Sequence, residues 1–326
     1  MHEIDRLKEK AVTHNNITVE EALQIVDLGK KNLFYLLAAA SEIREQFKGK
    51  LISLCAIVNA KSGRCAENCR FCAQSAHYET DALEYHLISS EEIISKGREA
   101  WEEGAHLFGI VTSGTEISDR GEWDEIYRAV GGLNDVGIKP CGSLGMLNPE
   151  AADGLRRAGL FRYHHNLETS RSFFDHICST HDYEEDIETV KTAKRAGLSV
   201  CSGGIVGLGE TMEQRIELAF TLKELDVDSV PINILNPIPG TPLMGTPQLT
   251  PIEILLTLAA FRFILPDKDI KLCGGKERNL RQLLPLGIAA GVNALMTGNY
   301  LTTTGRNTDL DLEMIRDLGL ETGFEG

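Results

Sequence analysis

The chain has 326 residues, 33 Lys and Arg against 48 Asp and Glu, a formal charge of −15, 42% hydrophobic residues and eight cysteines. A hydrophobic fraction in the globular range excludes a disordered or fibrous protein, no run approaches the roughly 18 apolar residues of a membrane helix, and the acidic balance argues against binding nucleic acid or anionic lipid. The N-terminal MHEIDRLKEKAVTHNN lacks the apolar core and small-residue cleavage site of a secretory signal, so a cytoplasmic location is expected.

In chain order, residues 1–45 read as a helical extension, with helices over 3–12 and 18–30 and a third through LFYLLAAASEIREQF. No Pro- or Gly-rich linker separates this extension from the rest of the chain. From Leu51, short apolar runs alternate with amphipathic stretches of helical length. The runs that read as strands are 51–58, 106–113, 138–145, 161–168, 198–207, 229–236, 270–277 and 294–300. Between them, SSEEIISKGREAWEEG offers Ser90 as an N-cap and Gly104 as a stop. Asn148–Pro149 and Thr250–Pro251 each place a capping residue before a proline at the first helical position. Trp101 and Trp123 fall in helical segments and read as packing residues. Strict strand–helix alternation predicts parallel pairing with right-handed crossovers. Eight such units predict a (β/α)8 TIM-type barrel over residues 46–326, capped by the N-terminal extension.

Eight cysteines in a reducing compartment need a reason other than disulfides. Cys65, Cys69 and Cys72 form a C-x3-C-x2-C array just beyond the first strand, on the face where such barrels carry their active sites. Three thiolates so spaced suit a tetrahedral zinc, with His77 as a fourth ligand, or a cubane 4Fe-4S cluster with one iron open. A lone cysteine on a strand is more often packing than ligand. That is the reading for Cys55 and Cys178, with Cys55 kept as a reserve ligand.

The C-x3-C-x2-C spacing, with Phe71 before the last cysteine, resembles the signature of the radical S-adenosylmethionine (SAM) superfamily. The resemblance implies a 4Fe-4S cluster whose open iron chelates SAM and cleaves it to methionine and a 5′-deoxyadenosyl radical. NAKSG before the first cysteine, HHNLETS at 164–170, CSGGIVGLGET at 201–211, SVPIN at 229–233 and GTPL at 240–243 together resemble the biotin synthase family. These segments span essentially the whole barrel. They imply an enzyme that inserts sulfur into dethiobiotin, taking it from an auxiliary iron–sulfur cluster, with the cofactor supplying radical chemistry that no side chain offers. A flavodoxin or ferredoxin electron donor and a homodimer are implied as well.

In the family's best-known pattern the auxiliary 2Fe-2S cluster is held by cysteines on strands 2, 3 and 5 and an arginine on strand 7. Cys141 and Cys201 match, whereas Gly109 and Lys271 stand at the other two positions. Two residues after Lys271, Cys273 shares its face of the strand. Cys141, Cys201 and Cys273, from alternate strands, are therefore expected to hold a four-iron auxiliary cluster with an extra sulfide on its open iron, and Lys271 beside it. Asn166 and Asn233 match positions that meet the ureido ring, where an amide offers both donor and acceptor. Glu168 matches a position that binds the ribose of SAM, and Ile205, Val206, Gly207 and Leu208 match the adenine-binding segment. His164 replaces an asparagine, and Asp186 replaces the arginine that meets the SAM carboxylate, leaving that contact to Arg195 or the cluster iron. His165, of opposite parity to His164, reads as packed or hydrogen-bonded. The rival readings are another radical SAM enzyme, a maturase or mutase relative, and a non-catalytic iron–sulfur carrier.

Overall fold

Alternating apolar runs and amphipathic helices close on themselves in the computed structural model, which describes residues 3–324. The strands are β1 (Leu51–Lys61), β2 (Leu107–Thr112), β3 (Lys139–Ser143), β4 (Arg162–His164), β5 (Ser199–Cys201), β6 (Gly204–Val206), β7 (Ser229–Ile234), β8 (Asp269–Leu272), β9 (Ala294–Met296) and β10 (Glu321–Thr322). All pairings between them are parallel, and β9 returns to β1 with Ser53 opposite Ala294, so the sheet is a closed barrel. The short β10 lies along the start of β1. The fold is the expected (β/α)8 barrel.

The run over 198–207 is not one strand but two. β5 pairs with β4 and β6 with β7, and Ser202 and Gly203 interrupt the stave. The cause is steric. A Cβ at Gly203 would sit 2.0 Å from the Pro231 carbonyl oxygen, and one at Gly204 2.4 Å from that of Glu168. Only glycine lets the chain pass between two neighbouring backbones this closely. The runs at 161–168, 270–277 and 294–300 also leave the ladder early, at His164, Leu272 and Met296. Their remaining residues turn into loops at the C-terminal end of the barrel.

Three helices precede the barrel, α1 (Glu3–His14), α2 (Val19–Lys31) and α3 (Leu33–Lys48). They lie against the helix Pro251–Ile264, which is buried at every position from Ile254 to Ile264. A barrel helix that is apolar all round needs cover on its outer side, and α1–α3 supply it. Gly29 permits the approach, since a Cβ there would meet Leu36 at 2.4 Å and Leu256 at 2.6 Å.

Capping follows the sequence with one shift. Asn148 and Thr250 cap their helices as expected, but the helix Ser90–Glu102 is capped by Ser89, whose hydroxyl accepts the Glu92 N–H at 3.2 Å. Ser90 is instead buried inside the first turn. Trp123 stacks on Tyr127, while Trp101 is 49% exposed and packs into no core. Among the described residues no helix is long and apolar enough to cross a membrane.

Candidate active site

The C-terminal ends of the strands open into a cavity of about 320 Å³. Its wall brings together residues from every part of the barrel. Deep in it lie Cys55 on β1, Cys141 on β3, Cys201 on β5 and Cys273 just past β8, together with Lys271. Alternate staves of a barrel contribute to the same interior layers, so cysteines on every second stave converge. All four are buried, and their thiols have little else to bond. The contacts of Cys55, Cys141 and Cys273 to local backbone carbonyls are 3.8, 3.9 and 3.8 Å long.

Charge in this layer is partitioned. Burial pushes the Cys141 thiol up to about 12 and raises Cys273 as well. Burial acts on Cys201 in the same direction, but Lys271, His164 and Arg162 outweigh it and bring that thiol down to about 6. For Lys271 the order is reversed: burial opposes its charge, while Cys55, Cys201 and Cys273 raise its pKa above the usual lysine range. Arg162 adds a second buried cation, 3.5 Å from Asp269. Converging thiols next to two cations fit an anionic metal–sulfide group better than they fit ordinary packing. Cys55, read from sequence as a packing residue, belongs to this wall.

At the outer end lies the loop after β1. The Cys65 N–H donates to the Gln74 carbonyl at 3.0 Å, the Ala76 N–H to the Cys65 carbonyl at 2.8 Å, and the Cys72 N–H to the Cys69 carbonyl at 3.0 Å, which folds the loop carrying the three cysteines back on itself. Phe71, Cys72, Ala73 and Gln74 face the cavity. Burial pushes the Cys72 thiol up to about 11. His77 takes no part: its ring bonds the Ala66 carbonyl at 2.9 Å and is exposed. Three partly buried thiols on a single loop, with no imidazole joining them, suit a cluster with an open iron better than a four-ligand zinc.

Between these two ends the wall carries Asn166, Glu168, Ile205 and Asn233. Asn166 Oδ1 is buried without a hydrogen-bond partner, and its Nδ2 reaches Glu168 at 3.4 Å. Such an orphan acceptor fits an N–H from a bound molecule. Asn233 is partly committed, because its Oδ1 accepts the Gly274 N–H at 3.0 Å. Burial pushes the Glu168 carboxyl up to about 7, and the residue adopts a left-handed φ of 59°. Val206 and Leu208 turn away from the cavity. Val206 joins the main core and Leu208 packs with Ile177, Leu235 and Leu243, leaving Ile205 as the wall residue of that segment.

Asp186 lies off the cavity wall. Its carboxylate takes His165 Nε2 at 2.7 Å and His181 Nε2 at 3.3 Å, and both imidazoles hold it below the usual range although burial acts the other way. An anion so placed cannot receive another carboxylate. Arg195 points outward, 58% exposed, and pairs with Glu188. Cys178 lies among polar groups, 3.8 Å from Cys69 Sγ and 3.3 Å from His181 Nδ1. The spacing C-x-x-H at 178–181 was the available signal for it. Tyr300, Thr302 and Thr303, which line the cavity from the loop after β9, carry no sequence signal.

Comparison with known proteins agrees with this arrangement. A family model described as the radical SAM superfamily matches residues 60–222, and one described as the biotin and thiamin synthesis associated domain matches residues 231–321. The chain is 54% identical to the biotin synthase of Geotalea daltonii, over 97% of each chain. With that of Geobacter sulfurreducens the identity is 53%, over 97% of this chain and 96% of the relative. Two solved structures share the fold. Methylornithine synthase superposes with a TM-score of 0.82 at 19% identity, over 98% of this chain and 97% of that one. The FeFe-hydrogenase maturase HydG from Carboxydothermus hydrogenoformans superposes with a TM-score of 0.81 at 17% identity, over 99% of this chain and 80% of that one. With identity above one half across nearly its whole length, the chain belongs to the biotin synthase family of radical SAM enzymes.

Proposed function

We propose that this chain converts dethiobiotin to biotin in the cavity described above, with the residues at its two ends holding two different iron–sulfur groups. The observation that carries this reading is one continuous cavity with Cys72 of the three-cysteine loop at one end and four barrel cysteines with two cations at the other. Cys65, Cys69 and Cys72 would hold the 4Fe-4S cluster that binds SAM, and Cys141, Cys201 and Cys273 the auxiliary cluster, with Cys55 within reach as a further ligand. When bound, the first would supply the electron that releases methionine and a 5′-deoxyadenosyl radical from SAM, and the second the sulfur atom.

The chain's own residues position and shield. Glu168 would accept hydrogen bonds from the ribose hydroxyls, and Ile205 would lie against the adenine. The orphan Asn166 Oδ1 would accept a ureido N–H, and Asn233 Nδ2, which donates one hydrogen to the Gly204 carbonyl at 3.4 Å, would offer its other hydrogen to the ureido carbonyl. Lys271 would neutralise part of the charge of a thiolate-bound cluster, which burial otherwise makes costly. Apolar wall residues such as Ile57, Val111 and Met296 keep water from a radical intermediate.

With Cys141, Cys201 and Cys273 as the ligands, a four-iron auxiliary cluster carrying an extra sulfide on its open iron is the proposed form, whereas Cys55 as a fourth ligand would complete a two-iron cluster. A flavodoxin or ferredoxin would supply the electron, and the family likeness supports a homodimer. The test is anaerobic turnover of enzyme carrying both clusters, with SAM, dethiobiotin and a reductant. Biotin and 5′-deoxyadenosine should both form; SAM cleavage without biotin would refute the proposal. Mössbauer spectra with iron and sulfide analysis test the cluster type, where a 2Fe-2S signal beside the SAM cluster excludes the four-iron form.

A further inference from the structure

Beside the cysteine loop lies a second group of metal-ligating side chains that neither cluster uses. Glu67, between Cys65 and Cys69, meets Cys178 and His181 from the segment after β4, and one ligand atom of each lies within 4.8 Å of the others. His181 Nδ1 is 2.7 Å from Glu67 Oε2 and 3.3 Å from Cys178 Sγ, and the thiol is 4.0 Å from the same carboxylate oxygen. A tetrahedral zinc with bonds of about 2.0 Å to N and O and about 2.3 Å to S sets its ligand atoms about 3.3–3.6 Å apart. The three separations bracket that spacing. Thr180 Oγ1 lies 3.4 Å from the same sulfur and donates to Glu67 Oε2, so a hydroxyl borders the group as well.

A second observation points the same way. His181 presents Nδ1 to the cluster of donors and Nε2 to Asp186, at 3.3 Å, and Asp186 is fixed in turn by His165 at 2.7 Å. A carboxylate behind the far nitrogen of a ligating histidine is the usual outer support of a metal site, since it fixes the tautomer and orients the ring. Glu67 and His181 are each 12% exposed and Cys178 is buried, so these are not loosely solvated surface groups. Two carboxylates and a thiol here face a single imidazole, and the proton on Nδ1 is what a divalent cation would replace.

The geometry points to a mononuclear divalent metal site at Glu67, Cys178 and His181, of a chemistry that favours zinc, which braces the cysteine loop against residues 176–182. Hydrogen bonds already join the two segments: the Arg70 N–H donates to the Ile177 carbonyl at 3.0 Å and the Asn68 N–H to Thr180 Oγ1 at 3.1 Å. Zinc retention is read without turnover, so a failure of the biotin synthase reading would leave the assignment untouched.

The test uses enzyme with both clusters assembled anaerobically, incubated with zinc chloride, desalted against a mild chelator and analysed for zinc, iron and sulfide. One zinc per chain should remain, with an X-ray absorption shell of one sulfur at about 2.3 Å and nitrogen or oxygen at about 2.0 Å. Cys178→Ser and His181→Gln should each lose the zinc while keeping cluster iron and sulfide, and Asp186→Asn should weaken zinc retention about 10- to 100-fold. Zinc absent from the wild-type enzyme, zinc retained equally by the variants, or a shell of several sulfurs showing zinc in the cluster cysteines would each overturn the assignment. Should the variants fail to fold, the absorption shell of the wild-type protein still decides.

Discussion

Glu168 shows how one buried carboxyl can make the enzyme sensitive to pH. Burial raises its folded pKa from the ordinary 4.5 to about 7, so the folded state binds its proton more tightly than the unfolded chain does. Stability from this group is therefore greatest below pH 4.5, declines as pH rises toward 7 and is lost above it, a swing of about 3 kcal/mol. Thermal unfolding of SAM-free enzyme from pH 5 to 8 should show that decline, and Glu168→Gln should lack it; parallel curves for the two proteins would rule the account out. Asn166 is the opposite case, a buried acceptor with no partner, proposed above to take a ureido N–H. Asn166→Ala should raise KM for dethiobiotin by about 5- to 100-fold, the equivalent of about 1–3 kcal/mol, with 5′-deoxyadenosine still formed. At this scale the sequence was informative where ligands are neighbours, as in the cysteine loop. It was poor where partners are distant in the chain: Cys178 and His181 read singly as packing or nothing, and only folding sets them against Glu67.

At the level of elements, periodicity carried the barrel because most of its staves are buried on both faces and most of its helices on one, the helix Pro251–Ile264 being buried all round. Strand length was less legible, since residues such as Asn166, Glu168 and Cys273 continue an apolar run yet leave the ladder to form the site. The Gly203–Gly204 pair explains the largest departure, the split of the fifth stave into β5 and β6. Its position matters for chemistry, because the Ile205 N–H donates to the Glu168 carbonyl at 2.8 Å and the Leu167 N–H to that of Gly203 at 3.0 Å. Gly203→Ala would force a methyl within 2.0 Å of the Pro231 carbonyl and push β5 and β6 away from β7. A loss of about 2–4 kcal/mol in unfolding free energy is expected, together with weaker SAM binding as Glu168 and Ile205 shift. Unchanged denaturant midpoint and SAM affinity would show that the backbone can give way there.

Across the whole molecule, a net charge of −15 would oppose docking of the acidic flavodoxin or ferredoxin proposed above as electron donor, because long-range repulsion slows encounter. Composition alone could not locate a compensating patch; two exposed arginines in the cysteine loop are the candidates for it. Arg64, immediately before Cys65, has a side chain 78% exposed, and Arg70, between Cys69 and Cys72, is also exposed. Both adjoin loop cysteines in the sequence, and complementary charge at a docking site raises association rate more than it raises affinity. Arg64 is shared with Glu84, at 2.8 Å, so its field is partly offset, and Arg70 should carry more of the effect. Replacing both with glutamate should lower kcat/KM for reduced flavodoxin about tenfold at low salt, and the gap should close as ionic strength rises and screening shortens to about 8 Å. Turnover driven by dithionite serves as the control. If it falls as far as flavodoxin-driven turnover, the arginines act on the cluster loop itself and not on docking.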